Sequence, residues 1–223
     1  QITIKLNREY NFYVNNKRIY RLMRILNLKS VCRKKKNNYV KSTPEITAEN
    51  ILNREFNVDG FGKKWLTDVT EMKCGDGSKA YLSAILDLGD KSIVSFVLGR
   101  SNNNELVFKT FDTAHKQYPN VKPLFHSDRG FQYTTKTFKK KLDDAGMVQS
   151  MSRVSRCIDN GPMEAFWGIL KSEMYYLKKF NSYNELEAAV IDYIDYYNNH
   201  RYQKRLKCMT PIEYRQYLMN EVA

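Results

Sequence analysis

No stretch of this 223-residue sequence approaches the run of about eighteen apolar residues that a membrane-crossing helix needs. Runs such as Ile93 to Leu98 are strand-sized, so no membrane partner is expected. The four cysteines, Cys32, Cys74, Cys157 and Cys208, are scattered and include no C-x-x-C pair, which argues against both a zinc site and a disulfide framework. A signal-peptide pattern is also missing, and a soluble protein in a reducing cytoplasm is the expectation. With 10 Gly, 5 Pro and 42% hydrophobic residues, the composition is that of a globular chain and not of a disordered one. Its length suffices for one substantial core and a small second module. Acids are nearly absent from one region: residues 1 to 41 hold twelve Lys and Arg against the single acid Glu9, a net +11 of the chain's +13. That imbalance implies a polyanionic partner, either nucleic acid or an anionic membrane surface. The chain lacks a basic amphipathic helix with a large aromatic face, which weighs against the membrane. It opens on Gln1 and not Met, as a fragment or a translated frame without its own start would.

What is present is ordered along the chain. From Asn16 to Leu28, Ile19, Leu22, Met23 and Leu26 recur at helical spacing while Arg18, Arg21 and Arg24 occupy another face. Ile2 to Arg8 reads as the end of a preceding helix, and Arg33, Lys34, Lys35 and Lys36 follow downstream. A helix-turn-helix pair with a basic tail fits this pattern, and these seven cations are the candidate DNA contacts of a segment spanning 1–41. Residues 42–62 read as a connector with one short helix around Ala48 to Phe56. Lys64–Lys73, Ala80–Asp87 and Ser92–Leu98 are strand-like and separated by glycine-containing turns, which predicts an antiparallel meander. A helix over Glu105–Tyr118, a strand over Lys122–His126, a helix over Thr135–Ala145 and a strand over Met147–Ser150 complete a mixed five-stranded sheet flanked by helices. Pro162, the pair Ser182 and Glu185, and Thr210-Pro211 open three further helices.

Three acids stand out. Asp68 interrupts the strand Trp65-Leu-Thr-Asp-Val-Thr70, where neither strand propensity nor burial favours a carboxylate. Asp128 ends a strand just before Arg129-Gly130, and turn chemistry alone accounts for an acid there. Glu164 falls in the first turn of a helix opened by Pro162, where the helix dipole alone accounts for it. Taken singly, the last two are better explained as structural. Together, two acids at strands and a third on a later helix can converge at one end of a sheet, where hard divalent cations find the oxygen ligands they prefer.

The stretches Trp65-Leu-Thr-Asp-Val-Thr-Glu71, His126-Ser-Asp-Arg-Gly-Phe-Gln-Tyr133, Ser150-Met-Ser-Arg153, Asp159-Asn-Gly-Pro-Met-Glu164, Phe166-Trp-Gly-Ile-Leu-Lys-Ser-Glu173 and Tyr196-Tyr-Asn-Asn-His-Arg201 occur here in one order. In that order they resemble the integrase core of bacterial insertion-sequence transposases, in the group most similar to retroviral integrases. Thirty-five residues separate Asp128 from Glu164, the interval of that family's acidic triad. The loop before Asn160 departs from the family pattern, carrying Ser155 and Arg156 where Gly and Asn are more frequent.

The resemblance implies a ribonuclease-H-like fold with a catalytic core over 63–176 and a C-terminal helical extension over 177–223. It implies Asp68, Asp128 and Glu164 as catalytic and metal-binding residues, with two Mg2+ ions for which Mn2+ can substitute. The implied partners are double-stranded DNA, both terminal inverted repeats and target DNA, and further copies of the chain assembled on that DNA. The implied chemistry is strand cleavage followed by attack of a DNA 3′-hydroxyl on a phosphodiester, in a cytoplasmic, nucleoid-associated bacterial protein. On a helix beginning at Pro162, Lys171 lies seven positions beyond Glu164 and is expected to project from nearly the same side toward DNA. Two other readings remain: a nuclease of the same fold that cuts without joining, and a decayed relative that only binds DNA.

Overall fold

The strand-like segments pair as a sheet because their side chains alternate between two faces, each with its own apolar layer. In a computed structural model that describes residues 1–31, 48–153 and 157–222, the strands are β1 (Lys64–Lys73), β2 (Lys79–Asp87), β3 (Ile93–Gly99), β4 (Leu124–Ser127) and β5 (Val148–Met151). Their spatial order is β3-β2-β1-β4-β5. The first three form the expected antiparallel meander, whereas β1–β4 and β4–β5 are parallel. Parallel neighbours need a crossover. Helices α3 (Asn104–Gln117) and α4 (Lys136–Asp144) supply the two crossovers and cover one face, with Trp65, Ile85, Val107, Phe111, Phe125 and Phe138 buried between. The other face is covered by α5 (Gly161–Leu170) and α6 (Tyr183–Asn199), which bury Leu66, Met72, Leu82 and Leu86 against Phe166, Leu170, Val190 and Tyr197.

The expected short helix around Ala48 to Phe56 is not formed. Asn53 and Arg54 both adopt left-handed backbone conformations, which a right-handed helix cannot contain, and the Asn50 side chain accepts the Asn53 N–H to close a turn instead. Leu52, fully buried, anchors this connector beneath the sheet, where its N–H donates to Ser150 Oγ.

The last helix, α7 (Pro211–Val222), is tied back to the β2–β3 turn by Arg215. Its guanidinium donates to Asp90 Oδ2 (2.5 Å), Ser92 Oγ (2.6 Å) and Tyr118 Oη (2.7 Å) and lies over the Phe61 ring. At the N-terminus, α1 (Ile2–Glu9) leans on the same C-terminal region through a bidentate Arg8–Glu213 pair. The next helix, α2 (Asn16–Ile25), has no buried residue. Its apolar stripe is therefore open among the described residues, with Ile25 and Leu26 exposed and Ile19 and Met23 half-buried. Arg18, Arg21 and Arg24 are exposed, whereas Arg33, Lys34, Lys35 and Lys36, like Ser155 and Arg156, lie outside the described residues.

Candidate active site

The parallel pairing of β1 with β4 creates the site. Leu66 stands opposite His126, and the same register continued by two residues sets Asp68 beside Asp128, just past the end of β4. On its other side Asp68 pairs with Ala84, a small buried residue. Asp68 Oδ2 accepts the indole N–H of Trp167 at 3.0 Å. Asp128 Oδ1 accepts the Gly130 N–H at 2.8 Å, and a Cβ on Gly130 would crowd that same oxygen at 3.0 Å. The turn chemistry expected at Asp128 is thus real, and it aims the carboxylate without consuming its second oxygen.

Helix α5 lies along β1, with Asn160, Glu164, Trp167 and Lys171 following one another at steps of four, three and four. Such steps keep side chains on one helical face. Three of the four donate to β1: Asn160 Nδ2 to the Thr67 carbonyl (3.1 Å), Trp167 Nε1 to Asp68, and Lys171 Nζ to the Glu71 carbonyl (3.1 Å). Glu164 is the fourth member of this stripe and is exposed in the first turn. Its charge reaches Asp68. Burial first, then the charge of Asp128 and then that of Glu164 push Asp68 up from 3.8 to about 7, against hydrogen bonds from Val69 and Trp167. Burial likewise raises Asp128. Among the described residues, none of the largest influences on either aspartate comes from a Lys or Arg.

Half-buried carboxylates raised by burial and by one another's charge suit a hard divalent cation, which relieves both the repulsion and the desolvation. The donor set therefore fits a divalent metal. Among the described residues, no three His, Cys, Asp or Glu side chains close tightly enough to enclose an ion. The formed element is the aspartate pair, with Glu164 at its outer edge.

Residues around the pair hold its backbone. His126 is fully buried, with Nδ1 2.9 Å from Ser150 Oγ and Nε2 3.1 Å from Ser152 Oγ. Ser150 Oγ already accepts the Leu52 N–H, so its own proton goes to Nδ1. Ser152 Oγ donates to the Ser127 carbonyl, which leaves it to accept from Nε2–H. The neutral imidazole is thereby saturated, and burial lowers its pKa from 6.5 to about 4. Tyr133, also buried, meets Thr67 Oγ1 at 3.2 Å, and Gln132 is buried against Asn102. All three are buried, and Tyr133 also borders a cleft lined by Thr135, Lys136, Lys139 and Lys140. On α6, Tyr197 is buried and Asn198 bridges the N–H and carbonyl of Ile93.

Two features escaped sequence reasoning. Asp159 accepts from Asn50 Nδ2, Arg54 Nε and both the backbone and the guanidinium of Arg153, which binds the connector, the end of β5 and the entry to α5 into one clamp. These donors hold Asp159 well below the usual carboxylate range. The other is the Trp167–Asp68 bond. A tryptophan within an apolar helix needs an acceptor for its N–H, and the step from Glu164 to Trp167 is the signal that could have found it.

The sequence matches the family described as the integrase core domain over residues 60–157 and again over 164–219, and an HTH-like domain over 1–36. It is 39% identical over 207 residues to a protein of Haemophilus influenzae described as transposase-like, covering 93% of this chain and 95% of that one. It is 39% identical over 216 residues to the putative transposase InsK for insertion sequence element IS150 of Escherichia coli, covering 96% of this chain and 76% of that one. The fold is shared with the HTLV-2 integrase catalytic core domain solved in complex with magnesium (TM-score 0.56, 19% identity, 69% of this chain and 96% of that one). It is also shared with a simian T-cell lymphotropic virus intasome (TM-score 0.61, 15% identity, 96% of this chain and 74% of that one).

Proposed function

Because this chain belongs to the insertion-sequence transposases with an integrase core, a DNA-acting and divalent-metal-using family, we propose that Asp68, Asp128 and Glu164 are the carboxylates that carry its phosphoryl transfer. The observation that supports this most is the parallel register of β1 and β4, which continued two residues past Leu66 and His126 sets Asp68 beside Asp128, with the charges of Asp128 and Glu164 both acting on Asp68. In this reading Asp68, Asp128 and Glu164 would together hold two Mg2+ ions, for which Mn2+ would substitute. Bound there, such ions supply charge neutralisation at the scissile phosphate and at the entering and leaving oxygens.

The chain's own residues supply position. Gly130 fixes the Asp128 carboxylate, and the hydrogen bonds from Asn160 and Lys171 fasten α5 to β1 so that Glu164 stays beside the pair. Residues 1–41, with Arg18, Arg21, Arg24 and the run Arg33 to Lys36, hold DNA by its phosphates, as does Lys171 at the far end of the α5 stripe. The connector 42–62 joins this segment to the core 63–176, which the extension 177–223 covers. The reaction is cleavage at the element's terminal repeats followed by 3′-hydroxyl strand transfer, carried out by more than one copy of the chain on DNA.

The test is an oligonucleotide assay with the terminal repeats that flank the coding frame. Wild type in Mg2+ is expected to yield joined products, and Asp68→Asn and Asp128→Asn to yield neither cleaved nor joined DNA while still binding it. Cleavage without joining by wild type would select the nuclease reading, and joining by either variant would overturn the assignment of the carboxylates.

A further inference from the structure

Asp68 is held by a neutral donor. Its Oδ2 receives the Trp167 indole N–H at 3.0 Å, and Trp167 is nearly buried, its ring packed against Phe166 at 5.0 Å between centroids. A Lys or Arg at this place would neutralise the carboxylate and compete with a cation for it. An indole N–H fixes one oxygen and leaves the full negative charge in place. The packing of the ring makes the donor rigid, and a rigid donor restricts rotation of the carboxylate it holds. The contact also bridges the two elements on which the site depends, since Trp167 lies three residues beyond Glu164 on α5 and Asp68 is central to β1.

We propose that Trp167 is a positioning residue of the metal site: its indole N–H orients the Asp68 carboxylate for a divalent cation and couples it to the helix that carries Glu164. This rests on the reading of Asp68 as a metal ligand. The chain contains an internal reference, because its only other tryptophan, Trp65, donates its indole N–H to the buried Asp87 at 2.9 Å, on the opposite face of β1. The two indoles are chemically alike and both bonded to a carboxylate, and only one of those carboxylates belongs to the site.

The first measurement is the indole N–H region of the 1H–15N spectrum of the wild-type protein during titration with Mg2+. The Trp167 signal is expected to shift with saturation while that of Trp65 stays fixed; a Trp167 signal that stays fixed while the protein binds the ion overturns the proposal. The second is the Mn2+ affinity of Trp167→Phe, which keeps an aromatic ring and removes the N–H. It is expected to fall roughly ten-fold with the melting temperature little changed, the scale typical of groups that orient metal ligands. Wild-type affinity in Trp167→Phe overturns the proposal. Asp68→Asn separates the two levels: loss of Mn2+ binding there, with retention in Trp167→Phe, refutes only the role of Trp167, whereas retention in Asp68→Asn refutes Asp68 as a ligand.

Discussion

Removing one carboxylate of the aspartate pair is expected to stabilise the metal-free protein while destroying its function. Asp128→Asn is the cleanest perturbation, because the amide oxygen can still accept the Gly130 N–H and the amide nitrogen replaces the oxygen not used by that bond. In wild type, Asp68 is raised from 3.8 to about 7. About three pKa units correspond to roughly 4 kcal/mol of penalty on the charged form, and burial outranks the Asp128 charge among its causes. Only part of the penalty therefore returns when Asp128 loses its charge, and solvent screening of these half-buried groups trims it to about 1 kcal/mol. Relief of the burial cost of Asp128 itself acts in the same direction, and a gain of about 1 kcal/mol alone corresponds to roughly 2–4 °C in melting temperature for a chain of this size.

The sign with pH follows from the raised value. A carboxylate whose folded pKa lies above its unfolded one contributes stability that is fully present below the unfolded pKa and lost as pH rises through the folded pKa. The wild type is thus penalised at pH 8 and relieved by pH 5, so the advantage of Asp128→Asn should be largest at pH 8 and shrink toward pH 5. Mg2+ should raise the melting temperature of wild type and not that of the variant. Thermal unfolding in EDTA and in Mg2+ at both pH values measures all of this. A variant no more stable than wild type in EDTA at pH 8, or one stabilised by Mg2+ as much as wild type, refutes the reasoning.

Three further expectations concern parts of the chain away from the pair. His126, lowered from 6.5 to about 4, has a folded pKa below its unfolded one, so the unfolded state binds the extra proton first and stability falls as pH drops from 6.5 to 4. The contribution is roughly 2–3 kcal/mol, and comparing the pH dependence of unfolding for wild type and His126→Gln should show it as a steeper acid loss in wild type; parallel curves would contradict it. Arg215→Met should cost about 3–5 kcal/mol by stranding the buried Asp90, and Asp90→Asn added to it should recover part of the loss, as read by denaturant unfolding. Deleting residues 1–41 should flatten the dependence of DNA binding on salt, because those residues carry +11 of the +13 charge; an unchanged slope in a filter-binding or anisotropy series would move the main DNA contact elsewhere.

Much of the fold was legible because its periodicities are local. The alternation in Lys64–Lys73 and the glycine turns after it specify a meander, and Ser182 with Glu185 marks a helix start that forms as expected, with Ser182 accepting the Glu185 N–H. Glu185 turns its own carboxylate to the Asn181 N–H. What could not be read depends on contacts distant in sequence. The parallel pairing of β1 with β4, which brings Asp68 beside Asp128, is fixed by crossovers and two packed faces and leaves no mark in either strand alone. The connector resembles a helix in composition, yet Leu52 must reach the core and Asn53 and Arg54 must turn the chain to let it.

Lys171 stands on the stripe of Glu164 where helical steps carry it, and its amine bonds to the Glu71 carbonyl of β1. Those steps do not announce that α5 then widens into a π turn over Lys171–Tyr175, closed by the Tyr176 N–H on the Lys171 carbonyl. That turn presents Glu173 to Arg201 and Tyr193, a pairing no periodicity announces. The acidic constellation itself was visible as residue types at intervals. The donors that aim it, Gly130 and Trp167, became visible only in three dimensions.

Glu164 is the decisive carboxylate, because its position in the first turn of α5 has a complete structural explanation of its own. If it serves only the helix dipole, Glu164→Gln costs about 0.3–1 kcal/mol of stability and leaves turnover nearly normal. If it is a metal carboxylate, the same change leaves the fold intact and ends the chemistry. Thermal unfolding and Mg2+-dependent strand transfer of a pre-cleaved terminal-repeat oligonucleotide, measured on one preparation of Glu164→Gln, decide between them: a metal carboxylate leaves a folded, DNA-binding protein that forms no joined product, and joining near the wild-type rate would show that Glu164 serves only the helix.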